Sequence, residues 1–149
     1  MWPGKHAQDT PEKIAYVMAA SGEAVTYREL NERSNQVAQL IADAGLGFGD
    51  HIAILMENRP EYIALWMGLA KAGVTSALLN TNLRGEALAH SVRTAGCAAV
   101  VLGAECAEAW QSLGADAPAV DLFALADPGR PTPALPPHAT ASREGRRRQ

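Results

Sequence analysis

Cysteine, lysine and long apolar runs are scarce in this chain of 149 residues. Its two cysteines, Cys97 and Cys106, have no C-x-x-C spacing, which argues against a disulfide framework and a cysteine-based zinc site. No apolar run approaches the ~20 residues of a membrane-spanning helix, and residues 1–6 lack the apolar core of a secretory signal. These absences predict a cytoplasmic protein without a transmembrane segment, with peripheral membrane association left open.

Basic residues are too few for a dedicated nucleic-acid-binding protein. Thirteen basic and sixteen acidic residues give a net charge of -3. Residues 1–126 hold eight basic and fourteen acidic residues, a net charge of -6, so this part is acidic. We therefore expect no nucleic-acid partner and interpret the basic end as solvated. The remaining basic residues all lie between 127 and 149, and they are Arg130, Arg143, Arg146, Arg147 and Arg148.

Residues 14–45 predict a hairpin followed by an amphipathic helix. Two β-prone runs, 14–19 and 24–27, are separated by a Ser-Gly-Glu turn. Thr26 can cap the helix, and Glu29 completes a capping box. Gly45 is expected to end the helix. The residues of its predicted buried face are spaced three or four apart, and they are Tyr27, Leu30, Ser34, Val37, Ile41 and Ala44.

From residue 52 onward, apolar runs alternate with helical patterns. The runs at 52–56, 74–79 and 98–102 are typical of strands buried on both faces of a parallel sheet, and 120–125 is a candidate for a further strand. Helices are predicted at about 58–72, 83–95 and 105–113. The alternation predicts an α/β fold, a Rossmann-like parallel sheet with flanking helices. Ala87, Leu88, Val92 and Ala95 are expected to point inward from the second of these helices.

The character of the sequence changes near Gly114, and no periodicity survives past Ala126. We therefore predict a domain at residues 1–126 and a disordered Pro/Arg-rich tail at 127–149. The five prolines of that tail and its arginines bury too little apolar surface to offset the entropy of ordering. Alternatively, the tail is not natural sequence for this fold.

Three stretches are candidates for anion-binding sites. The glycine-rich residues 45–50 end a helix and precede a strand, the reverse of the order that binds phosphate, so they predict a helix-capping turn. Two other stretches follow predicted strands, where ligands bind in open α/β sheets: Glu57-Asn58-Arg59 and Asn80-Thr81-Asn82-Leu83-Arg84. Each carries an arginine at a helix start. We favour the interpretation in which the asparagines cap the helices and the arginines are solvated or paired with acids.

No other residue type forms a catalytic or metal-binding pattern. Cys97 and Cys106 are interpreted as packing residues, and Trp66 and Met67 as core residues. The sequence therefore predicts no catalytic, cofactor-binding or metal-binding residue in this chain. Two of the four histidines are expected in flexible ends, one begins a strand and one lies in a helix: His6, His138, His51 and His90.

Several ordered motifs resemble the N-terminal subdomain of the adenylate-forming acyl-CoA synthetases. They are P-E-K-I-A-Y-V at 11–17, T-Y-R-E-L from Thr26, G-D before the strand at 52, E-N-x-x-E from Glu57 and K-A-G from Lys71. The run L-L-N-T-N-L-R-G-E-A-L-A-H-S-V at 78–92 is most similar to the very-long-chain acyl-CoA synthetase and fatty-acid transport protein branch. The resemblance covers roughly residues 9–113.

This resemblance implies an ATP-dependent fatty-acid–CoA ligase with fatty acid, ATP, Mg²⁺ and coenzyme A as substrates and cofactors. It also implies a Thr/Ser/Gly-rich loop with a lysine that binds the triphosphate. The three lysines, Lys5, Lys13 and Lys71, lie in no such loop. We therefore expect a truncated or frame-shifted fragment that is inactive alone and binds no cofactor. The alternative is a non-catalytic scaffold or acyl-chain-binding module, which could oligomerise or aggregate through an exposed apolar face.

Overall fold

The computed structural model describes residues 3–125, which divide into two compact units. The first unit comprises residues 3–50 and 58–76, and the second comprises 51–57 and 77–125. The predicted tail at 127–149, with His138 and its arginines, lies outside the described residues. No helix among residues 3–125 is long and apolar enough to cross a membrane.

The first unit begins with a helix that the sequence did not predict. Helix α1 (Pro3–Asp9) precedes strands β1 (Ile14–Val17) and β2 (Ala24–Thr26), which pair antiparallel and confirm the predicted hairpin. The expectation that His6 lies in a flexible end is wrong. Its ring stacks on Tyr27 with the centroids 4.9 Å apart, and this contact attaches α1 to the start of the next helix.

Helix α2 (Tyr27–Asp43) has the predicted capping box at its start. The Thr26 Oγ1 accepts a hydrogen bond from the Glu29 amide at 3.3 Å, and the Glu29 carboxylate accepts one from the Thr26 amide at 2.8 Å. The helix ends where Gly45 adopts a φ of 71°, which a residue with a Cβ rarely adopts. The glycine-rich residues 45–50 therefore form the predicted capping turn.

We expect Thr26→Ala to lower the free energy of unfolding by about 1 kcal/mol at neutral pH. The hydrogen bonds from Thr26 hold the pKa of Glu29 below its usual 4.5. The Thr26 Oγ1 also donates to the Glu29 carboxylate at 3.0 Å, and Thr26→Ala removes this bond. The bond is fully present above 4.5 and is lost as the pH falls through the lowered pKa. Urea unfolding at about pH 7 and about pH 3 should show a smaller effect of Thr26→Ala in acid. An equal effect at both pH values would contradict the capping box.

Helix α3 (Pro60–Lys71) packs against α2 within the first unit. Its N-cap is Arg59 and not Asn58, because Pro60 at the first helical position sets where the helix begins. The predicted capping role of Asn58 is therefore wrong. So is the core position of Trp66, which is 46% exposed, because only one face of α3 is buried in the described residues.

A close approach of α2 and α3 is centred on Gly68. An added Cβ there would overlap the Cβ of Val37, and would lie 2.5 Å from its Cγ1 and 2.7 Å from the Ser34 carbonyl oxygen. Glycine is therefore required at this position by the separation of the two helix backbones.

The sheet contains β3 (His51–Leu55), β4 (Thr75–Leu78), β5 (Ala99–Gly103) and β6 (Asp121–Leu125) in the order β4-β3-β5-β6. Both β3–β5 and β5–β6 are parallel, with Ile52 opposite Ala99 and Ala99 opposite Asp121. This confirms the predicted α/β class and the candidate strand at 120–125. The prediction that residues 74–79 form a fully buried strand is wrong, because β4 is an edge strand and Leu78 is 52% exposed.

The core of the second unit lies between the sheet and two helices, α4 (Gly85–Thr94) and α5 (Ala107–Gln111). Helix α4 begins later than predicted, and it buries Ala89 while Ala87 is exposed. The longer predicted helix at 105–113 is a 3₁₀ turn at Ala104–Cys106 followed by the short α5. The buried core residues are Ala53, Leu55, Leu88, Ala89, Val92, Val100, Leu102, Cys106, Ala109, Trp110 and Leu113.

Candidate functional site

The strand order places a topological switch point between β3 and β5. The chain leaves β3 toward β4 on one side of the sheet, and it leaves β5 toward β6 on the other. In open α/β sheets, ligands bind beyond the carboxyl ends of strands at such a point. Here those ends carry Met56 and Glu57 after β3, and the 3₁₀ turn Ala104–Cys106 after β5. We take this part of the second unit as the candidate site.

A hydrogen bond joins the two strand ends. The Glu57 amide donates to the Oε1 of Glu105 at 2.8 Å. The Glu105 carboxylate also lies against Gly103, where an added Cβ would be 2.6 Å from both its Cδ and its Oε2. Glycine at 103 therefore leaves the space in which the carboxylate reaches across from β5 to the loop after β3.

Cys106 lies beside this bridge and is 4% exposed. Burial, together with the charges of Glu105 and Glu57, raises the pKa of its thiol to about 11, and Arg84 opposes this to a smaller extent. A thiol with this pKa is protonated near neutral pH and is a poor nucleophile. The prediction that Cys106 is a packing residue is consistent with its place in the core cluster.

Native Cys106 is expected to resist thiol reagents. In a Cys97→Ser variant at about pH 8, its thiolate fraction should be on the order of a hundredfold below that of an exposed cysteine, before steric protection is added. Labelling with a disulfide reagent should be slow in buffer and fast in denaturant. Equal rates in the two solvents would contradict the buried, protonated thiol.

The second predicted stretch, residues 80–84, is occupied by local hydrogen bonds. Asn80 Oδ1 accepts from the Asn82 amide at 2.9 Å, so Asn80 stabilises a turn and does not cap a helix. Arg84 is the N-cap of α4, and its Nη1 donates to the carbonyl oxygens of Thr81 and Leu83 at 2.7 and 2.8 Å. The predicted cap at 80–82 is therefore wrong.

The first amide of α4 is satisfied from another element. The Gly85 amide donates to the Ser112 Oγ at 2.9 Å. The start of α4 therefore already has a side-chain acceptor supplied by the residue that follows α5.

The first stretch, 57–59, is divided between the two units: Glu57 belongs to the second, and Asn58 and Arg59 to the first. The Arg59 Nε donates to the Glu61 Oε2 at 3.1 Å. The interpretation that this arginine pairs with a nearby acid is confirmed.

Lys71 has a role that the sequence did not reveal. Its ammonium donates to Asn31 Oδ1 at 2.9 Å, Ser34 Oγ at 2.7 Å and Asn35 Oδ1 at 2.7 Å, with the Asn31 carbonyl oxygen at 3.3 Å. Burial lowers the pKa of Lys71. These contacts fasten α3 to α2 within the first unit. The available signals were a lysine at the end of the apolar run of α3 and a serine on the apolar stripe of α2.

The two described histidines of the second unit make contacts within that unit. The His51 Nδ1 lies 2.8 Å from the Ala95 carbonyl oxygen, and the His90 Nε2 lies 3.3 Å from the Thr94 Oγ1. Between residues 3 and 125, no three His, Cys, Asp or Glu side chains are grouped so that they could hold a metal ion.

Comparison with known proteins identifies the family. A profile of the AMP-binding enzymes matches residues 4–145. The chain belongs to the AMP-binding enzyme family. The matched range runs past residue 126, over part of the segment for which composition predicts disorder.

The relatives of this chain include proteins named for long-chain fatty acids. Long-chain fatty acid transport protein 1 of Bos taurus is 51% identical over 102 residues, which are 68% of this chain and 16% of that protein. A long-chain-fatty-acid–CoA ligase of Mycobacterium tuberculosis is 29% identical over 113 residues, 76% of this chain and 22% of the ligase. The predicted resemblance to the fatty-acid transport protein branch is confirmed.

A solved structure supports the same fold. Mycobacterium tuberculosis fatty acyl CoA synthetase superimposes with a TM-score of 0.72 at 26% identity, covering 83% of this chain and 26% of that one. The chain therefore spans about a sixth to a quarter of the length of these relatives.

Proposed function

We propose that this chain supplies the N-terminal α/β part of an ATP-dependent ligase that joins long-chain or very-long-chain fatty acids to coenzyme A. In such a ligase the fatty carboxylate forms an acyl-adenylate with release of pyrophosphate, and the thiol of coenzyme A then displaces AMP. The observation that carries the proposal is the family match over residues 4–145, supported by 51% identity to a fatty-acid transport protein.

The described residues do not fit ATP and Mg²⁺ at the candidate site. Holding a triphosphate requires backbone amides and cations directed at its oxygens. Here the Glu57 amide is bonded to Glu105, and the carboxylates of both residues would repel phosphate. Lys71 is engaged in the first unit by α2. We therefore propose a structural contribution to the ligase, in which residues 1–149 alone do not form an adenylate.

A chimera tests this contribution. Residues 14–125 would replace the equivalent segment of the Mycobacterium tuberculosis fatty acyl CoA synthetase, with junctions chosen from the superposition. The proposal predicts ATP- and coenzyme A-dependent formation of acyl-CoA by the chimera, well above that of a host from which the segment is deleted. A chimera that unfolds cooperatively on heating, but forms no more acyl-CoA than the deletion, would contradict it.

A second candidate function, acyl-chain binding or self-association, is favoured by exposed apolar side chains of the first unit. Phe48 is 96% exposed, Leu40 67% and Trp66 46%. Among the tryptophans that the structure describes, Trp110 is buried, so Trp66 is the better reporter. Saturable quenching by a fatty acid that disappears in Trp66→Phe would support acyl-chain binding, and a discrete oligomer in size-exclusion chromatography would support self-association. Neither result is expected for the ligase part.

A further inference from the structure

We infer that Glu105 is a positioning residue whose carboxylate occupies the place at the switch point where an anionic ligand would bind. Its hydrogen bond from the Glu57 amide holds the loop after β3 and closes that amide to phosphate oxygens. The inference goes beyond the proposed function, because it concerns one amide of this chain and holds whichever reaction the family member catalyses.

The first argument is the identity of the donor. Glu57 follows Met56 after the end of β3 at the switch point, where a free amide of a doubly wound sheet would bind an anionic ligand. The Glu57 amide donates instead to Glu105, 48 residues away, at 2.8 Å. Hydrogen bonds from an amide to a carboxylate are among the stronger kind, and a ligand would have to displace this one.

The second argument is the space made for the carboxylate. Gly103 leaves room for Glu105, since an added Cβ would be 2.6 Å from the carboxylate carbon. Glu105 lies in the turn Ala104–Cys106 directly after β5, so its side chain starts from a fixed point of the sheet. Gly103 and Glu105 therefore act together, and changing either residue should release the same amide.

The charged groups near the Glu57 amide include two carboxylates and one arginine. Burial raises the pKa of the Cys106 thiol, and the nearby charges of Glu105 and Glu57 raise it further. Arg84 and a hydrogen bond from the Glu57 backbone lower it to a smaller extent. Arg84 also donates to two carbonyl oxygens of its own turn. A phosphate oxygen approaching the Glu57 amide would meet carboxylate repulsion before it could form a hydrogen bond.

The test follows the Glu57 amide by NMR in the whole chain, with inorganic pyrophosphate as the probe. In the unmodified chain this amide should be protected from hydrogen exchange and should show no saturable shift with pyrophosphate. In Glu105→Ala its exchange should rise by roughly tenfold or more, its proton should move upfield, and pyrophosphate should now shift it saturably. Gly103→Ala displaces the Glu105 carboxylate without removing it, so it should also raise the exchange of the Glu57 amide and move its proton upfield.

Two further variants distinguish the loss of the Glu105 hydrogen bond from a general loss of structure. Glu105→Gln keeps the shape and an acceptor oxygen, so the amide should move upfield but stay more protected than in Glu105→Ala. Glu108→Ala removes an exposed carboxylate from α5 and should leave the Glu57 amide unchanged.

Three results would overturn the inference. The first is a Glu57 amide whose exchange and proton shift are unaltered in Glu105→Gln and Gly103→Ala. The second is a saturable shift of this amide with pyrophosphate in the unmodified chain. The third is an amide that exchanges faster in Glu105→Ala but is not shifted by pyrophosphate.

Discussion

Gly68→Ala is expected to lower the free energy of unfolding by about 2 kcal/mol, although alanine is the better helix former by about 1 kcal/mol. The new Cβ would overlap Val37 and lie 2.7 Å from the Ser34 carbonyl oxygen. A backbone oxygen cannot rotate away as a side-chain tip can, so α2 and α3 would have to separate. Overpacking of this kind costs typically about 1–3 kcal/mol and occasionally more, which outweighs the gain in helix propensity.

Gly47→Ala provides the matched control. The nearest atom to an added Cβ at Gly47 is the Ala72 carbonyl oxygen, at 3.9 Å, which is ordinary contact. Both substitutions restrict the unfolded chain alike, so their difference isolates the helix contact. Urea unfolding followed by circular dichroism should place Gly47→Ala within about 0.5 kcal/mol of the unmodified chain. If Gly68→Ala were equally stable, the close approach of α2 and α3 would be wrong.

Lys71→Ala is expected to cost about 2–3 kcal/mol, because a single ammonium serves several acceptors of α2. Its bond to the Ser34 hydroxyl is 2.7 Å long, and Ser34 is only 1% exposed. Removal of the Lys71 ammonium leaves the buried Ser34 Oγ without this donor. It also removes the hydrogen bonds between α3 and α2. The loss should appear in the same urea measurement as a lower midpoint with an unchanged slope.

Lys71→Met separates the ammonium from its hydrocarbon stem. Methionine keeps most of the packing, so a loss close to that of Lys71→Ala assigns the effect to the hydrogen bonds. Lys13→Ala removes a lysine from an exposed position and should change stability by less than about 0.5 kcal/mol. If Lys71→Met were as stable as the unmodified chain, the oxygen contacts of Lys71 would contribute nothing measurable.

Elements with a local signal were predicted from the sequence. The capping box at Thr26 and Glu29 and the glycine stop at Gly45 depend on residues within one or two turns, and the structure has both. The buried run of β3 identifies a strand whose neighbours cover it. The apolar run at 74–79 looks similar, yet β4 is an edge strand of the described sheet. The order of strands in a sheet depends on how the chain crosses between them, and the side chains of one strand do not determine this.

The candidate site depends on long-range contacts that the sequence could not predict. Glu105 and Glu57 are 48 residues apart, and no motif connects them. Lys71 and Ser34 are 37 residues apart. Ser34 is a polar residue on the apolar stripe of α2, but nothing in the sequence identifies Lys71 as its partner. The strand-end rule pointed to Glu57 at the correct edge of the sheet, but nothing in the sequence identified Glu105 as the partner of the Glu57 amide.

We propose that residues 1–149 contribute structure, and not nucleotide chemistry, to fatty-acid activation. The most direct test is the exchange of labelled pyrophosphate into ATP by the purified chain, with Mg²⁺ and a long-chain fatty acid present. A full-length fatty acyl CoA synthetase serves as the positive control. We predict exchange indistinguishable from that without protein, and exchange that depends on the fatty acid and on this chain would contradict the account.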